Sequence, residues 1–572
     1  MAGVNPPWRP VTIAIRGVKT RGGPLRAAIS SCGRWLSRQR PLSFPGLTLA
    51  VAFLTVSLTP SLLPRTWLIQ GLVSGFSALT GYGLGATLGW LAGLVLRPGP
   101  VLRRRGWQAL AAVGLPSVSI LLYQGSLWQR DLYRLMGERP PTRPGYLRVV
   151  LVTVALFVGV LAAARAFRAA AREVAAQLAR WFPVRAARAT GGVLVALLSL
   201  GMLNTAVYDP LMSSAMSSSE SLNDQINPRV PRPTAAGRSG SPASAVSWAS
   251  LGQQGRAFVA GGPGPDQLRA FSGKDPVPPV RVYVGQRSAP DAAAAAGLAV
   301  RELRRTGGFS RKVLCVVTTT GTGWVDPRAA EALEYAYNGD SAIVAIQYSV
   351  LPSWLSYVVE RSKAEAAGRE LFNQVYAAWS GLPRETRPKL VLFGESLGSL
   401  AGETTFAGVD DLVSRVDGVL WAGPTRANDL WQHLVADRDA GTPQVRPVFQ
   451  DGRLVRFAGT AADLATPEPG TRVVYLQHPS DPVSWWAPEL LVRKPDWLSE
   501  PRGGDVLPAM RWYPFVTFWQ VTADLVFAAD APLGHGHRYG GEFAAGWAAL
   551  VPPPGWTATD TARLVNLINL HG

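Results

Sequence analysis

Five apolar stretches, each about 20 residues long, crowd into the first 208 residues of the chain, and that length is what a helix needs to cross a hydrocarbon layer about 30 Å thick. They fall near 44–63, 69–96, 108–127, 149–168 and 190–208. Backbone in lipid must satisfy its own polar groups, so residues 44–208 are expected to form an all-α transmembrane bundle. The second stretch carries Gly81, Gly85, Gly89 and Gly93 at four-residue spacing. That spacing lines one helical face with small residues and permits close helix approach, including the approach of a second copy in a homo-oligomer.

Charge sets the orientation. A formal charge of +19 raises nucleic acid as a partner, but its distribution argues against one. Residues 1–208 hold 24 Lys and Arg against only Asp131, Glu138 and Glu173, leaving 33 basic and 35 acidic residues in the remainder. The basic residues gather in the tail 1–43 (Arg9 to Arg40), at Arg97 and Arg103 to Arg105, and between Arg165 and Arg188. Loops retained on the cytoplasmic side carry this excess, so these segments are expected inside, and the loops near Arg65 and at 130–148 outside. Five spans then put everything after Asp209 outside the cytoplasm, in a multi-pass protein whose first partner is the lipid bilayer. No small-residue cleavage site follows the first span, where the chain reads Pro60-Ser-Leu-Leu-Pro-Arg65, so it reads as an uncleaved anchor.

Residues 209–275 are rich in Ser, Ala, Gly and Pro and are expected to be a linker. From 276 to 572 the pattern changes to short β-branched runs at 280–284, 313–317, 342–346, 390–393, 418–421 and 473–476, alternating with helical stretches near 291–305, 328–336, 359–380 and 399–407. Alternation of this kind predicts a doubly wound, mostly parallel sheet with helices on its faces. The two cysteines, Cys32 and Cys315, are too few for a disulfide framework or a cysteine zinc site. No cofactor or metal is expected.

The run at 391–393 leads directly into Gly394-Glu-Ser396-Leu-Gly398 and then into a helical stretch. A serine between glycines on a sharp strand-to-helix turn holds its hydroxyl exposed, which marks Ser396 as a candidate nucleophile. A hydroxyl needs a base to take its proton, and a downstream histidine is required. Pro532-Leu-Gly-His535-Gly-His537-Arg-Tyr539 supplies His537 and His535, with His537 favoured; His433 and His571 are weaker candidates by position. Asp481, in Val473-Val-Tyr-Leu-Gln-His478-Pro-Ser-Asp481, follows a strand and is the expected acid, with Asp429 and Asp451 as alternatives. Donors for a developing oxyanion are expected from the Leu397 amide and from Thr320 and Gly321 in the Gly-rich run after 313–317. That run lacks a following G-K-[ST], so it is a poor phosphate cradle. The segment 424–471 reads as a lid or insertion, and Trp485, Trp486, Trp512, Phe515, Phe518 and Trp519 as core residues, an acyl pocket or a bilayer contact.

The G-E-S-L-G run at 394–398, W-A-G-P-T at 421–425, H-P-S-D-P-V at 478–483 and G-H-G-H-x-Y at 534–539 together resemble a bacterial membrane-anchored α/β-hydrolase family of the family 9 type. The Pro60–Arg65 stretch and Gly81-Tyr-Gly resemble that family's multi-span N-terminal domain. The resemblance implies a C-terminal α/β-hydrolase domain and serine hydrolase activity on an acyl-ester or lipid substrate, with acyl transfer as a variant of the same chemistry. Fold alone names no substrate. The size of the bundle also admits a different class, a non-catalytic transport or assembly protein whose hydrolase-like domain only binds a partner.

Overall fold

The structure is a computed structural model that describes residues 42–95, 100–142 and 145–570. Most of the basic tail, with Cys32 and the Arg9 to Arg40 run, lies outside the described residues, as do Arg97, Arg143 and His571. Helices follow the apolar stretches: Phe44–Ser57, Trp67–Ala92, Pro100–Leu135, Tyr146–Leu178 and Val184–Leu203, the last continuing through a π turn at Asn204–Tyr208 into Asp209–Asp224. Among the described residues, three segments are long and apolar enough to cross a membrane: Arg104–Leu135, Tyr146–Leu178 and Val184–Asp224. The first helix has 14 residues, about 21 Å of rise, because the chain turns at Pro60 and Pro64 before Thr66 caps the next helix with its side chain on the Ile69 amide.

The glycine face works within the chain. A Cβ on Gly85 would lie 2.3 Å from the Pro45 carbonyl oxygen, one on Gly81 2.5 Å from that of Leu49, and one on Gly89 2.8 Å from Pro45 Cγ. Only glycine lets the Trp67–Ala92 helix lie this close to Phe44–Ser57. The surface offered in the sequence as a contact between copies is therefore filled by the chain's own first helix. Gly71 and Gly75 press another side of the helix onto Val152 and Leu156 of Tyr146–Leu178.

Seven strands form one parallel sheet in the order β1-β3-β2-β4-β5-β7-β6, with β1 Val280–Val284, β2 Val313–Thr318, β3 Ser341–Ile346, β4 Lys389–Glu395, β5 Gly418–Ala422, β6 Val455–Ala458 and β7 Val473–Leu476. Nearly every strand residue is buried, as expected when helices cover both faces. Cys315 sits in β2, 1% exposed, and burial pushes its thiol up. The register aligns Thr318 with Gly394, Glu395 with Ala422 and Ala422 with Leu476, so the loops leaving β2, β4, β5 and β7 open side by side at the C-terminal edge. Ligands gather at that edge in open α/β sheets.

Two stretches differ from their sequence reading. The 209–275 region is folded rather than a loose linker: Ser239 and Gly237 pair with Arg281 alongside β1, helices Gly252–Ala260 and Pro265–Ser272 follow, and Leu251, Val259 and Leu268 join the sheet's core. It covers what would otherwise be an open sheet edge. The 424–471 segment contains helix Asp429–Ala436 and the edge strand β6, so part of it belongs to the sheet.

The two halves meet through the Pro60–Arg65 turn. Arg65 Nε donates to Asp524 Oδ1 at 2.8 Å with both side chains almost fully buried, and the Leu62 amide donates to Asp524 Oδ2 at 3.1 Å alongside the Ser61 hydroxyl. Arg65 Nη2 reaches the Gln520 carbonyl at 3.0 Å, and Gln520 Nε2 returns to the Thr59 carbonyl at 3.0 Å. Leu62 and Leu63 enter the same core cluster as the sheet. Several aromatics read as pocket or bilayer contacts are spent here: Trp519 stacks on Phe76 with centroids 5.1 Å apart, and Phe515 on Phe53 at 6.4 Å.

The helix contact makes a paired prediction. Gly85→Val is expected to destabilise the full chain by about 1–3 kcal/mol through overpacking. Gly83→Val, whose Cβ would meet nothing within 4 Å, should leave thermal unfolding in detergent unchanged, and equal melting of the two variants would contradict the packing described.

Candidate active site

Ser396 lies between β4 and helix Leu397–Glu403 with φ 53° and ψ −123°, a region that non-glycine residues rarely occupy. The neighbours explain how the turn holds. A Cβ on Gly398 would stand 2.2 Å from the Thr318 carbonyl oxygen, and one on Gly394 2.6 Å from both Gly398 O and Thr318 Oγ1. Thr318 Oγ1 donates to the Gly398 carbonyl at 2.6 Å, and the Ser396 amide donates to the Ala422 carbonyl at 2.9 Å. The elbow is thus clamped between the ends of β2 and β5. Leu397 heads the helix, where the first amides have no partner within the helix.

Gly423 follows Ala422 with φ +52°, and a Cβ there would lie 2.2 Å from His537 Cε1 and 3.0 Å from Asp481 Oδ2. This places the imidazole against the corner that also holds Ser396. His537 Nδ1 is 2.7 Å from Asp481 Oδ2, Tyr539 Oη donates to the same oxygen at 2.8 Å, and Asp481 Oδ1 accepts from the Val483 amide at 2.9 Å. Asp481 is fully buried and His537 12% exposed. His535 turns elsewhere, its Nδ1 3.4 Å from Asp505 Oδ2, and Asp505 also takes the Ser480 hydroxyl. The structure therefore gathers Ser396, Asp481 and His537 in one place and pairs His535 with a different acid. Asp429 opens the Asp429–Ala436 helix, and Asp451 sits exposed in a turn at φ 57°, paired with Arg453. His433 ends up in the last turn of the Asp429–Ala436 helix.

On the β2 loop, the Thr320 amide donates to the Trp324 carbonyl at 3.3 Å and Gly323 donates back to Thr320 at 2.9 Å. Thr320's amide is taken up by its own turn. Gly321 is needed for close approach, since a Cβ there would lie 2.6 Å from the Leu351 carbonyl oxygen.

Three further groups were not singled out in the sequence. Glu395, beside the serine, is buried with Oε2 unpartnered, and burial, then Asp326 and Asp481, push its carboxyl well above the usual range. Burial also raises Asp326, to about 6, against the amides of Arg328 and Ala329. His478 supports the site from below: its ring stacks on Tyr539 with centroids 4.2 Å apart, and its Nδ1 faces the Gly536 carbonyl at 2.8 Å. Burial would lower His478, but Glu542, with an oxygen 3.8 Å from Nε2, and Asp505 raise it on balance. The H-P-S-D run was the one signal that His478 and Asp481 share a turn.

A parallel sheet that presents a strained serine elbow beside a buried carboxylate and a histidine on later loops defines an α/β-hydrolase fold. The chain belongs to the alpha/beta-hydrolase family: residues 280–564 match that family, and residues 58–263 match the alpha/beta-hydrolase family N-terminus. No curated protein and no solved structure matches it.

The His478–Glu542 pair makes stability depend on pH. Because His478 is raised above its ordinary 6.5 in the folded chain, the pair's contribution is complete below 6.5 and is lost as pH rises through the folded value. Glu542 is lowered on balance by His478 despite burial and stays ionised throughout that window. Wild type should melt above His478→Gln by a margin that narrows from about pH 6 to pH 9. A margin independent of pH would exclude a charged pair.

Proposed function

We propose that the chain is a membrane-anchored serine hydrolase that cleaves acyl esters of lipid or cell-envelope material, as an esterase, lipase or thioesterase. In this reading Ser396 Oγ attacks the ester carbonyl carbon while His537 takes the hydroxyl proton, and Asp481 orients the imidazole and stabilises its charged form. The tetrahedral oxyanion draws on the Leu397 amide and the loop carrying Gly321. Collapse expels the alcohol, which leaves with the proton from His537, and an acyl-enzyme remains on Ser396. Water, or an acceptor alcohol in the transfer variant, then attacks that ester with His537 again as base. The observation that carries the reading is the 2.7 Å contact between His537 and Asp481 against Gly423, beside the elbow.

A fluorophosphonate probe is expected to label the full chain, and Ser396→Ala to abolish labelling. Asp481→Asn should keep the shape of the site yet slow turnover of a p-nitrophenyl ester by roughly ten-thousandfold. Labelling that persists in Ser396→Ala would place the nucleophile elsewhere.

The same proposal puts the hydrolase outside the cytoplasm. Three segments expected on one side support it, because all meet the hydrolase: the 58–66 turn, the end of Pro100–Leu135 through the adjoining Met136, and Asp209–Asp224 through Asn223. The absolute side rests on the basic residues between Arg165 and Arg188, at the other end of their helices. In a Cys32→Ser background, an impermeant maleimide applied to whole cells should reach a cysteine at Glu138 and miss one at Arg180; reversed labelling would overturn the orientation.

A further inference from the structure

The loop that carries His537 is held from both ends of one short stretch of the N-terminal domain. Its base is the Ala528 carbonyl, which accepts the His537 amide at 2.9 Å. Ala528 follows Asp524 by four residues, with the Phe527 amide on the Asp524 carbonyl at 3.1 Å, and Asp524 is the carboxylate that receives Arg65 Nε, the Leu62 amide and the Ser61 hydroxyl. The back of the loop is Gly536, at φ +56°, where a Cβ would meet Ala531 Cβ at 2.6 Å, Ala528 O at 2.9 Å and Leu63 Cδ2 at 3.3 Å. Leu63 is 2% exposed. One turn of the membrane domain therefore fixes the point from which the histidine loop departs and fills the space into which it would relax.

The nucleophile has no such dependence. Its strained conformation is held by Thr318, Gly394 and Ala422 in the sheet and Gly398 in the helix that follows, all within the hydrolase. We propose that Leu63 and Arg65 of the N-terminal domain are positioning residues for His537, so that the membrane domain completes the catalytic centre of the hydrolase rather than only tethering it. This rests on the reading of His537 as base. The coupling is specific: loosening the Pro60–Arg65 turn withdraws the base and leaves the serine elbow standing. It also gives a physical reason for a short ordered turn between two helices to carry a leucine pair and an arginine into another domain's core.

The test uses the full chain in detergent, with fluorophosphonate labelling of Ser396 and hydrolysis of p-nitrophenyl acetate as probes. Leu63→Ala is expected to slow labelling and lower kcat by roughly ten- to a hundredfold, the scale of a small misplacement of a catalytic group, with KM for this small ester little changed. Leu63→Met should restore the rate, and Leu63→Val, the milder truncation, should fall in between and serves if Leu63→Ala does not accumulate. Thr80→Ala removes the Trp519 Nε1 hydrogen bond at the same domain interface, away from the loop, and should label as wild type. Equal losses in Leu63→Ala and Thr80→Ala would reduce Leu63 to general interface packing and overturn the proposal. Normal labelling of Leu63→Ala beside an inactive His537→Gln would overturn it while leaving His537 as base. Normal labelling of His537→Gln would remove the base assignment itself, and this proposal with it.

Discussion

The buried ion pair between Arg65 and Asp524 is the constraint on which the arrangement of the two domains depends. Its partners are almost wholly out of water, and removing one member of such a pair costs about 3–5 kcal/mol because the other charge is left uncompensated. Further hydrogen bonds to both members of the pair cross the same interface. Arg65 also reaches Gln520, and Asp524 also takes the Leu62 amide and the Ser61 hydroxyl. Apolar contact alone, such as Trp519 on Phe76, would allow the surfaces to slide, because hydrophobic attraction has no direction. The hydrogen-bonded pair sets the angle and register at which the aromatic faces meet.

The candidate site divides into a part built by the sheet and a part built by loops. Backbone strain at Ser396 persists because its surroundings over-determine it: three backbone segments approach so closely that no Cβ fits at Gly394 or Gly398. The histidine side has no comparable ladder of strand hydrogen bonds. It depends on Tyr539 and Val483 sharing Asp481, on His478 stacked beneath Tyr539, and on the domain interface behind Gly536. Loops pay more conformational entropy than strands to hold one geometry, and burial of their side chains offsets it. That accounts for the concentration of buried polar groups around this loop.

Much of this was legible in the sequence wherever the signal was local. β-branched runs marked six of the seven strands, and the elbow was visible because strand, glycines, serine and helix are contiguous. β6 escaped because Val455–Ala458 is a four-residue edge strand interrupted by Arg456, whose guanidinium binds the Thr466 and Asp463 carbonyls. The choice between His535 and His537 was not local either: both sit in one Gly-rich loop, and what separates them is that one meets Asp481 and the other Asp505, 24 positions apart in the chain. The glycine face at 81–89 was read correctly as a site of close approach, yet periodicity does not say whose helix approaches. The aromatics near 512–519 were equally ambiguous, since a ring buried against another domain has the same composition as a ring lining a pocket.

The position of the Pro60–Arg65 turn joins the two kinds of information. Charge bias along the chain sorts loops by side without reference to any contact, whereas the fold brings the 58–66 turn, Met136 at the end of Pro100–Leu135, and Asp209–Asp224 to the hydrolase without reference to charge. Segments that touch one folded domain must share a side of any membrane the helices cross, so crossings between the 58–66 turn and Asp209 must be even in number. Asn223 extends the pattern to the other flank of the site: its side chain accepts from Gln347 Nε2 at 2.9 Å, and Gln347 in turn reaches the Thr322 carbonyl on the β2 loop. Helical segments thus brace both loops that border Ser396, the one bearing Gly321 and the one bearing His537.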